Sequence, residues 1–206
     1  MRYICAVFLV VAMLIGVSLQ AAAGSQAQLD SVLGVPWGAS PEQARQIMAK
    51  DGYSFVWEGT DASTGSQVLE FKGSYAGMPA YISIYFMHRQ MWQLSARISD
   101  KEYNMDYAFE TLYKLLTEKY GPVSISRSYN IYKNIPTTRH EWNLDGNAKQ
   151  ILLIKFATFY IDKTKMDGGA RVTYINIQLY ETLKKSNILF CNLEFKFFHR
   201  PSRCKV

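Results

Sequence analysis

The sequence predicts an α+β fold of tandem α-β-β-β-β units, in which antiparallel sheet carries two main helices packed on one face. Helical periodicity occurs twice along the 206 residues, and each time about four segments of alternating polar and apolar residues follow it. Short, turn-rich stretches join these segments, as is typical of antiparallel sheets. Because helices in such folds cover one face of the sheet, we expect a single globular body with pseudo-twofold character.

The first helix is predicted to begin after Ser40. Ser40 is a good N-cap, Pro41 suits the first helical position, and Gln43 completes a capping box. Gly52 is the expected left-handed residue after the last turn. The apolar stripe at helical spacing between these ends is formed by Ala44, Ile47 and Met48.

A tight apolar loop, Val35-Pro36-Trp37-Gly38, precedes this helix. We expect Val35 and Trp37 to pack beneath the helix, while Pro36 and Gly38 shape the approach of the chain. Binding of a ligand by the loop is the alternative. The structural interpretation is favoured because the adjoining helix start accounts for the pattern without a ligand.

Strands are predicted after the first helix because the hydrophobic period changes to two. The His88–Gln90 segment is expected to join the last two of them as a hairpin. The four predicted strands cover residues 53–57, 67–72, 78–86 and 91–98.

The second unit begins with a helix whose apolar face runs from Met105 to Leu116, and Gly121-Pro122 ends it. Asp145-Gly146 is a pair typical of two-residue hairpin turns. The strands predicted after this helix cover residues 125–132, 137–144, 149–161 and 171–183. The two candidate repeats are residues 34–99 and 104–183, within a globular body of residues 24–183.

The two ends of the chain differ from this body. Residues 1–23 combine a basic start, an apolar run and an Ala-rich end, which is the pattern of a secretory signal peptide more than of a membrane span. We therefore expect an exported bacterial protein, periplasmic or secreted, with no stable membrane span after cleavage. Residues 184–206 are a basic, Phe-rich extension, in which a Cys191–Cys204 disulfide is compatible with an oxidising compartment.

The net charge of +6 is concentrated at the ends of the chain. Arg2 lies in the predicted signal peptide, and residues 184–206 contain six basic residues and one acid, a net charge of +5. Residues 3–183 are therefore neutral overall. A nucleic-acid-binding domain carries a basic surface on its folded part, so the neutral body argues against that class of partner.

Motifs of common enzymes are absent from the sequence, which has no G-x-S-x-G elbow, no H-E-x-x-H helix and no phosphate-binding glycine loop. His140 is next to Glu141, but neighbours in a strand point to opposite faces, so the two side chains should not meet. His88 and His199 belong to no ligand pattern, and no metal or cofactor site is predicted. The segment Asp61–Ser66 lacks the later acidic ligands of a calcium loop and is expected to be a plain turn.

Aromatic residues make up 14% of the sequence, and this abundance directs the search for a binding surface. Aromatic side chains favour strands and fill cores, so core packing is the main expectation for the set. A sheet with helices on one side has a second face, however, and aromatics exposed there suit sugar stacking or a protein partner. The candidate partner-binding residues are Tyr81, Tyr85, Tyr129 and Tyr174.

Two stretches carry a resemblance to known proteins. GVPWGASPEQARQIMAKDGY is similar to the start of small exported bacterial proteins of largely unassigned function, which open with a G-[IV]-P-[WF]-G-x-[ST] loop into a capped helix, and LLTEKYGPV resembles a helix ending in the same set. The predicted layout also resembles the helix-plus-antiparallel-sheet modules of β-lactamase-inhibitor proteins and outer-membrane-assembly lipoproteins. The chain lacks the lipobox cysteine of the lipoprotein members, and the resemblance supplies no catalytic residue.

Two functional hypotheses follow. The first is an exported, envelope-associated binding module without chemistry of its own, which engages a protein partner through the sheet face opposite the helices. The alternative is a secreted or periplasmic hydrolase that acts on wall or sugar substrates, with His140, Glu141 and Asp145 as candidate groups. The missing catalytic motifs favour the binding module.

Overall fold

The computed structural model describes residues 29–99, 104–131, 135–156, 159–161, 164–166 and 168–186. The predicted signal peptide, His199 and both cysteines of the predicted disulfide lie outside these residues. The described elements are, in chain order, β1 (Ser31–Val32), β2 (Val35–Pro36), α1 (Pro41–Lys50), β3 (Ser54–Thr60), β4 (Gln67–Tyr75), β5 (Met78–Met87), β6 (Gln90–Ser99), α2 (Met105–Tyr120), β7 (Ile125–Ile131), β8 (Ile135–Leu144), β9 (Lys149–Phe156), β10 (Phe159–Ile161), β11 (Thr164–Met166), β12 (Gly169–Asn176) and α3 (177–186).

Eight of these strands form one antiparallel sheet in the order β3-β4-β5-β6-β12-β9-β8-β7. Each half of the sheet starts at an outer strand and adds strands in chain order toward the centre, where β6 pairs with β12. The predicted α+β class with tandem α-β-β-β-β units is thereby confirmed, and the two four-stranded sets share a single continuous sheet. The remaining strands pair as two small hairpins, β1 with β2 and β10 with β11.

The helices α1 and α2 pack on the same face of the sheet. Ala44 and Met48 of α1 belong to one buried cluster with Phe109 and Leu112 of α2. Side chains alternate along a strand, so this cluster takes every second residue of the strands beneath it and leaves the others on the opposite face. The sheet residues in the cluster include Leu69, Phe71, Ile82, Ile84, Leu94, Ala96, Trp142, Leu144, Ile151, Leu153, Val172 and Tyr174.

The predicted start of α1 is confirmed. The Ser40 hydroxyl accepts a hydrogen bond from the Gln43 amide at 3.3 Å, and the Gln43 side-chain oxygen accepts one from the Ser40 amide at 2.9 Å. Both halves of the capping box are therefore present, with Pro41 at the first helical position. Gly52 follows the last turn with φ of 82°, the left-handed conformation that glycine adopts without steric cost.

The loop before α1 is an anchor, as the sequence predicts. Val35 is fully buried in the core, and the half-buried Trp37 packs against the same cluster. The Trp37 indole donates a hydrogen bond to the Leu29 carbonyl at 2.6 Å. The Gly38 amide donates to the Met91 carbonyl at 2.9 Å, which ties the loop to the start of β6.

The predicted strand over residues 171–183 is wrong beyond Asn176, because β12 ends there and residues 177–186 are helical. The Asn176 side chain accepts a hydrogen bond from the Leu179 amide at 2.9 Å and so caps α3. Leu179, Tyr180 and Leu183 pack against Trp92 and its neighbours. This cluster lies on the sheet face opposite α1 and α2, so the third helix differs from the first two in the side that it covers.

The turns after β5 and β8 lie at the predicted positions, but the second turn is longer than predicted. His88 and Arg89 form a two-residue turn between β5 and β6, and both have positive φ. The Asp145-Gly146 pair lies in a four-residue turn, because the last pair of β8 and β9 is Leu144 with Lys149. Of the strand predicted over 149–161, residues 149–156 form β9 and residues 159–161 form β10, which pairs with β11.

Candidate functional site

A row of cationic side chains crosses the sheet face opposite α1 and α2, which we call the open face. The register places Arg97 of β6 directly opposite Arg171 of β12, and the same line of residues continues on both sides of this pair. The cationic row consists, in sheet order, of Lys72, Tyr81, Arg97, Arg171, Ile154, Arg139 and Arg127. Because neighbouring strands are about 4.8 Å apart, the seven positions extend over roughly 30 Å.

The row has the same pattern on both sides of the sheet centre. On β4, β5 and β6 it reads Lys72, Tyr81, Arg97, and on β8, β9 and β12 it reads Arg139, Ile154, Arg171. Each half therefore presents a cation, an apolar side chain and a second cation. All of these side chains are exposed or half-buried.

Aromatic rings support three of the cations. The Lys72 ammonium lies 5.5 Å and the Arg97 guanidinium 5.1 Å from the centre of the Tyr81 ring, and the Arg171 guanidinium lies 5.7 Å from the centre of the Phe156 ring. Such cation–π contacts stabilise a charge without neutralising it. The charges of Arg97 and Arg171 therefore remain available to an anion.

The two central arginines lack a carboxylate partner among the described residues, since neither Arg97 nor Arg171 forms an ion pair there. Like charges placed directly opposite on adjacent strands destabilise a sheet. The pKa of Arg171 is lowered by loss of hydration, raised by Tyr85 and lowered by Arg97. The pair is thus electrostatically unfavourable in the free protein.

A cavity of about 300 Å³ opens beside this pair. Trp57 and the turn at Asp61 line one side of it, and Arg97 and Arg171 line another. The strands between them contribute the polar side chains Glu70, Ser83 and Ser95. The cavity therefore combines aromatic surface, hydroxyl groups and both signs of charge.

The carboxylates of the two acids in the cavity differ in the number of hydrogen bonds that they accept. The Asp61 carboxylate accepts hydrogen bonds from Ser63 at 2.6 Å and Thr64 at 2.8 Å, which lower its pKa. Asp61 thus closes its own turn, in agreement with the expected plain turn. The Glu70 carboxylate accepts one hydrogen bond, from the Ser83 hydroxyl at 3.3 Å. In the described part of the chain, no group of three or more His, Cys, Asp or Glu residues is placed to hold a metal ion.

Three of the four predicted partner-binding tyrosines lie on the open face. Tyr81 is part of the cationic row, Tyr85 borders the cavity, and Tyr129 is 39% exposed on β7. The expected exposure of Tyr174 is wrong, because its side chain is 5% exposed in the core under the helices. The alternation of β12 places Tyr174 with Val172 on the covered face.

A second hollow of about 520 Å³ lies at the β7 end of the row. Arg127, Tyr129 and Arg139 line it, together with Ser128. The Arg139 guanidinium lies 2.8 Å from the Glu141 carboxylate, which is buried. At this end, therefore, one of the two arginines is neutralised and Arg127 is exposed.

The three candidate catalytic groups do not converge. His140 lies on the covered face, where its ring centre is 4.8 Å from that of Tyr113 of α2. Glu141 lies on the open face beside Arg139, as the alternation of a strand requires. Asp145 lies in the turn after β8, with its carboxylate 2.9 Å from the Lys149 ammonium.

The cationic row was missed by the sequence reasoning, which rests on net charge. Residues 3–183 are neutral as a whole, but five of their bases lie on one line of the open face. The phase of each strand could have indicated this, because Tyr81 and Ser83 alternate with the apolar Ile82 and Ile84. The pairing of distant strands, which aligns the bases, is not visible in any local pattern.

Within the described part of the chain, the helices are too short or too polar to cross a bilayer. Comparisons of the chain with family models, with curated proteins and with solved structures found no match.

Proposed function

We propose that the protein is an exported, envelope-associated binding module without chemistry of its own, and that it holds a protein partner on its open face. The observation that carries this proposal is the cationic row. Five basic side chains lie on one line across seven strands, although they come from five different strands of the sheet. The partner should accordingly present an acidic segment that crosses the strands.

The charge of the open face supports an acidic partner. The line of residues next to the cationic row contains two acids, Glu70 and Glu141. Glu141 is buried against Arg139, and Glu70 lies near Ser83. Five bases against two acids leave this part of the face with a net positive charge, which attracts and orients an acidic partner.

The shape and composition of the row support a polypeptide. A segment of about nine extended residues spans roughly 30 Å, which is the length of the row. Tyr81 and Ile154 separate the cations and offer apolar contacts between them. Aromatic and arginine side chains are also the types that contribute most to protein interfaces.

The test is binding of a fluorescein-labelled peptide of nine glutamates, measured by fluorescence anisotropy, with a peptide of nine glutamines for comparison. The glutamate peptide should bind, its affinity should fall with added salt, and the glutamine peptide should not bind. Lys72→Gln and Arg127→Gln, at the two ends of the row, should each weaken binding by about two- to fivefold.

The matched control is Lys114→Gln, which removes an exposed charge from α2 on the other side of the sheet. This variant should bind like the wild type. Equal losses in the control and in the two row variants would contradict the proposal, because only the net charge would then matter. Tighter binding of an oligonucleotide of equal charge would contradict it in favour of nucleic acid.

A further inference from the structure

We infer that the cavity beside Arg97 and Arg171 is an anchoring pocket for a single carboxylate side chain of the partner. The inference rests on the proposed function and gives it one defined point of contact. Its starting point is the central arginine pair, which the fold places face to face on the two strands where the halves of the sheet meet.

The arginine pair is a repulsive arrangement that a carboxylate relieves. Arg97 and Arg171 have no ion-pair partner among the described residues, and each is held by an aromatic ring on its outer side. A guanidinium offers several parallel N–H donors that match the two oxygens of a carboxylate. One carboxylate between the two arginines would turn a like-charge contact into a bridged one.

The cavity has the volume and the lining for such a group. At about 300 Å³ it is at the lower end of the sizes of pockets that hold small ligands. Ser83 lines it and supplies a hydroxyl, while Trp57 and Tyr85 supply surface for the methylene groups of a side chain. The lining thus suits an acidic side chain with a short aliphatic stem.

The acids of the same cavity limit the charge that it can accept. Asp61 is occupied by its own turn, but Glu70 has only the long contact with Ser83 and faces the cavity with its charge. A ligand with several dense negative charges would be repelled by Glu70. The pocket should therefore favour one carboxylate over a phosphate group.

The experiment is a titration of the full-length protein with propionate, followed by two-dimensional NMR at constant ionic strength. Propionamide, which has the same shape without the charge, is the comparison ligand, and inorganic phosphate is the third probe. Propionate should cause saturable shifts at Arg97, Arg171 and Trp57, whereas propionamide should not. Phosphate should bind more weakly than propionate.

Arg97→Gln and Arg171→Gln should each weaken propionate binding at least about tenfold, because each removes charge-assisted hydrogen bonds. Arg97→Lys keeps the charge but loses the planar fork, and its affinity should lie between those of the wild type and Arg97→Gln. Lys114→Gln, which removes an exposed charge from α2 on the other side of the sheet, should leave propionate binding unchanged. Thermal melts identify any variant that does not fold, and the remaining variants still decide the question.

Equal shifts with propionate and propionamide, or full affinity in both glutamine variants, would overturn the anchoring pocket. Tighter binding of phosphate than of propionate would overturn the choice of a carboxylate. If propionate fails to bind while the glutamate peptide binds and depends on Arg127, the pocket is wrong and the proposed function stands. If propionate binds at the arginine pair but the peptide does not bind, the proposed function fails, and with it the assignment of this pocket to a protein partner.

Discussion

Tyr75 and Tyr174 meet through their hydroxyl groups inside the core, although 99 residues separate them in the chain. Tyr75 ends β4 and Tyr174 lies in β12, so this hydrogen bond joins the two halves of the sheet. Both side chains are buried, at 8% and 5% exposure. Burial raises the pKa of Tyr75 to about 12 and also raises the pKa of Tyr174, so both hydroxyls are neutral near pH 7.

Removing both of these hydroxyls should destabilise the protein by less than the sum of the two single removals. Tyr174→Phe leaves the Tyr75 hydroxyl buried without its partner, which should lower the free energy of unfolding by about 1–3 kcal/mol. Tyr75→Phe should have a similar effect. In the double variant no hydroxyl is stranded, so its loss should be clearly smaller than the sum of the single losses. Chemical denaturation of the four proteins measures this coupling, and strict additivity would argue against the bond.

The fold was predictable wherever the determining residues are local. The two ends of α1 are determined by nearby residues. The capping box of Ser40 and Gln43 is present at its start, and Gly52 has the left-handed conformation after its end. The predicted strand beyond Asn176 is wrong because apolar residues continue to alternate there, whereas Asn176 as a helix cap and the four-residue spacing of Leu179 and Leu183 indicate a helix. A strand period that runs into a helix start is ambiguous without that cap.

The candidate site was less predictable because it depends on strand pairing. Arg97 and Arg171 become neighbours only when β6 pairs with β12 in one register, and neither local segment specifies that register. The face occupied by each tyrosine was in principle available from alternation. Tyr174 shares its phase with Val172 and so belongs to the core, whereas Tyr81 shares its phase with Ser83.

His140 should make stability depend on pH in the mildly acidic range. Its ring lies among those of Phe109, Tyr113 and Trp142, and its Nδ1 is buried without a hydrogen-bond partner. The pKa of His140 is lowered mainly by burial and further by Lys155, against an opposing effect of Glu110. Packing thus disfavours the imidazolium in the folded state.

The sign of the effect follows from this lowered pKa. Histidine in the unfolded chain takes up a proton near pH 6.5, while His140 in the folded protein does so at a lower pH. Stability from this group is therefore present above about pH 6.5 and is lost as the pH falls through the pKa of the folded state. The melting temperature of His140→Phe should accordingly change less between about pH 7.5 and about pH 5 than that of the wild type. His88→Asn, in the exposed β5–β6 turn, is the control that should keep the wild-type slope.

Two glycines lie beneath aromatic rings, and their substitution by alanine should have different effects on stability. A Cβ at Gly59 would lie 2.0 Å from the Trp57 ring, and a Cβ at Gly73 would lie 2.3 Å from the Tyr53 ring. Trp57 is 43% exposed and can move, whereas Tyr53 is half-buried and donates a hydrogen bond to the Ser74 carbonyl at 2.8 Å. Trp57, unlike Tyr53, also lines the cavity at the arginine pair.

Gly73→Ala should therefore lower the free energy of unfolding by about 1–3 kcal/mol, since the hydrogen bond to Ser74 holds the Tyr53 ring in place. Gly59→Ala should cost less than about 1 kcal/mol, because the Trp57 ring can swing away. The same movement should reduce propionate affinity in Gly59→Ala and leave it unchanged in Gly73→Ala. Denaturation curves and the propionate titration separate these effects, and equal stability losses would contradict the different mobility of the two rings.

Without a ligand, the Arg97→Glu variant should be more stable than Arg97→Gln, and it should not bind the peptide. The substitution converts a like-charge contact with Arg171 into an attractive one, which should raise the free energy of unfolding by about 0.5–1 kcal/mol relative to Arg97→Gln. The glutamine variant is the appropriate reference because both variants lose the contact of Arg97 with the Tyr81 ring. The gain should shrink in about 0.5 M salt, where exposed charges are screened.

The Arg97→Glu variant should not bind the glutamate peptide. A binding site keeps a locally unfavourable charge pair for its ligand, so stability and affinity should move in opposite directions here. If Arg97→Glu is less stable than Arg97→Gln at low salt, the two side chains do not repel each other in the free protein, and the electrostatic reason for an anion between them is lost.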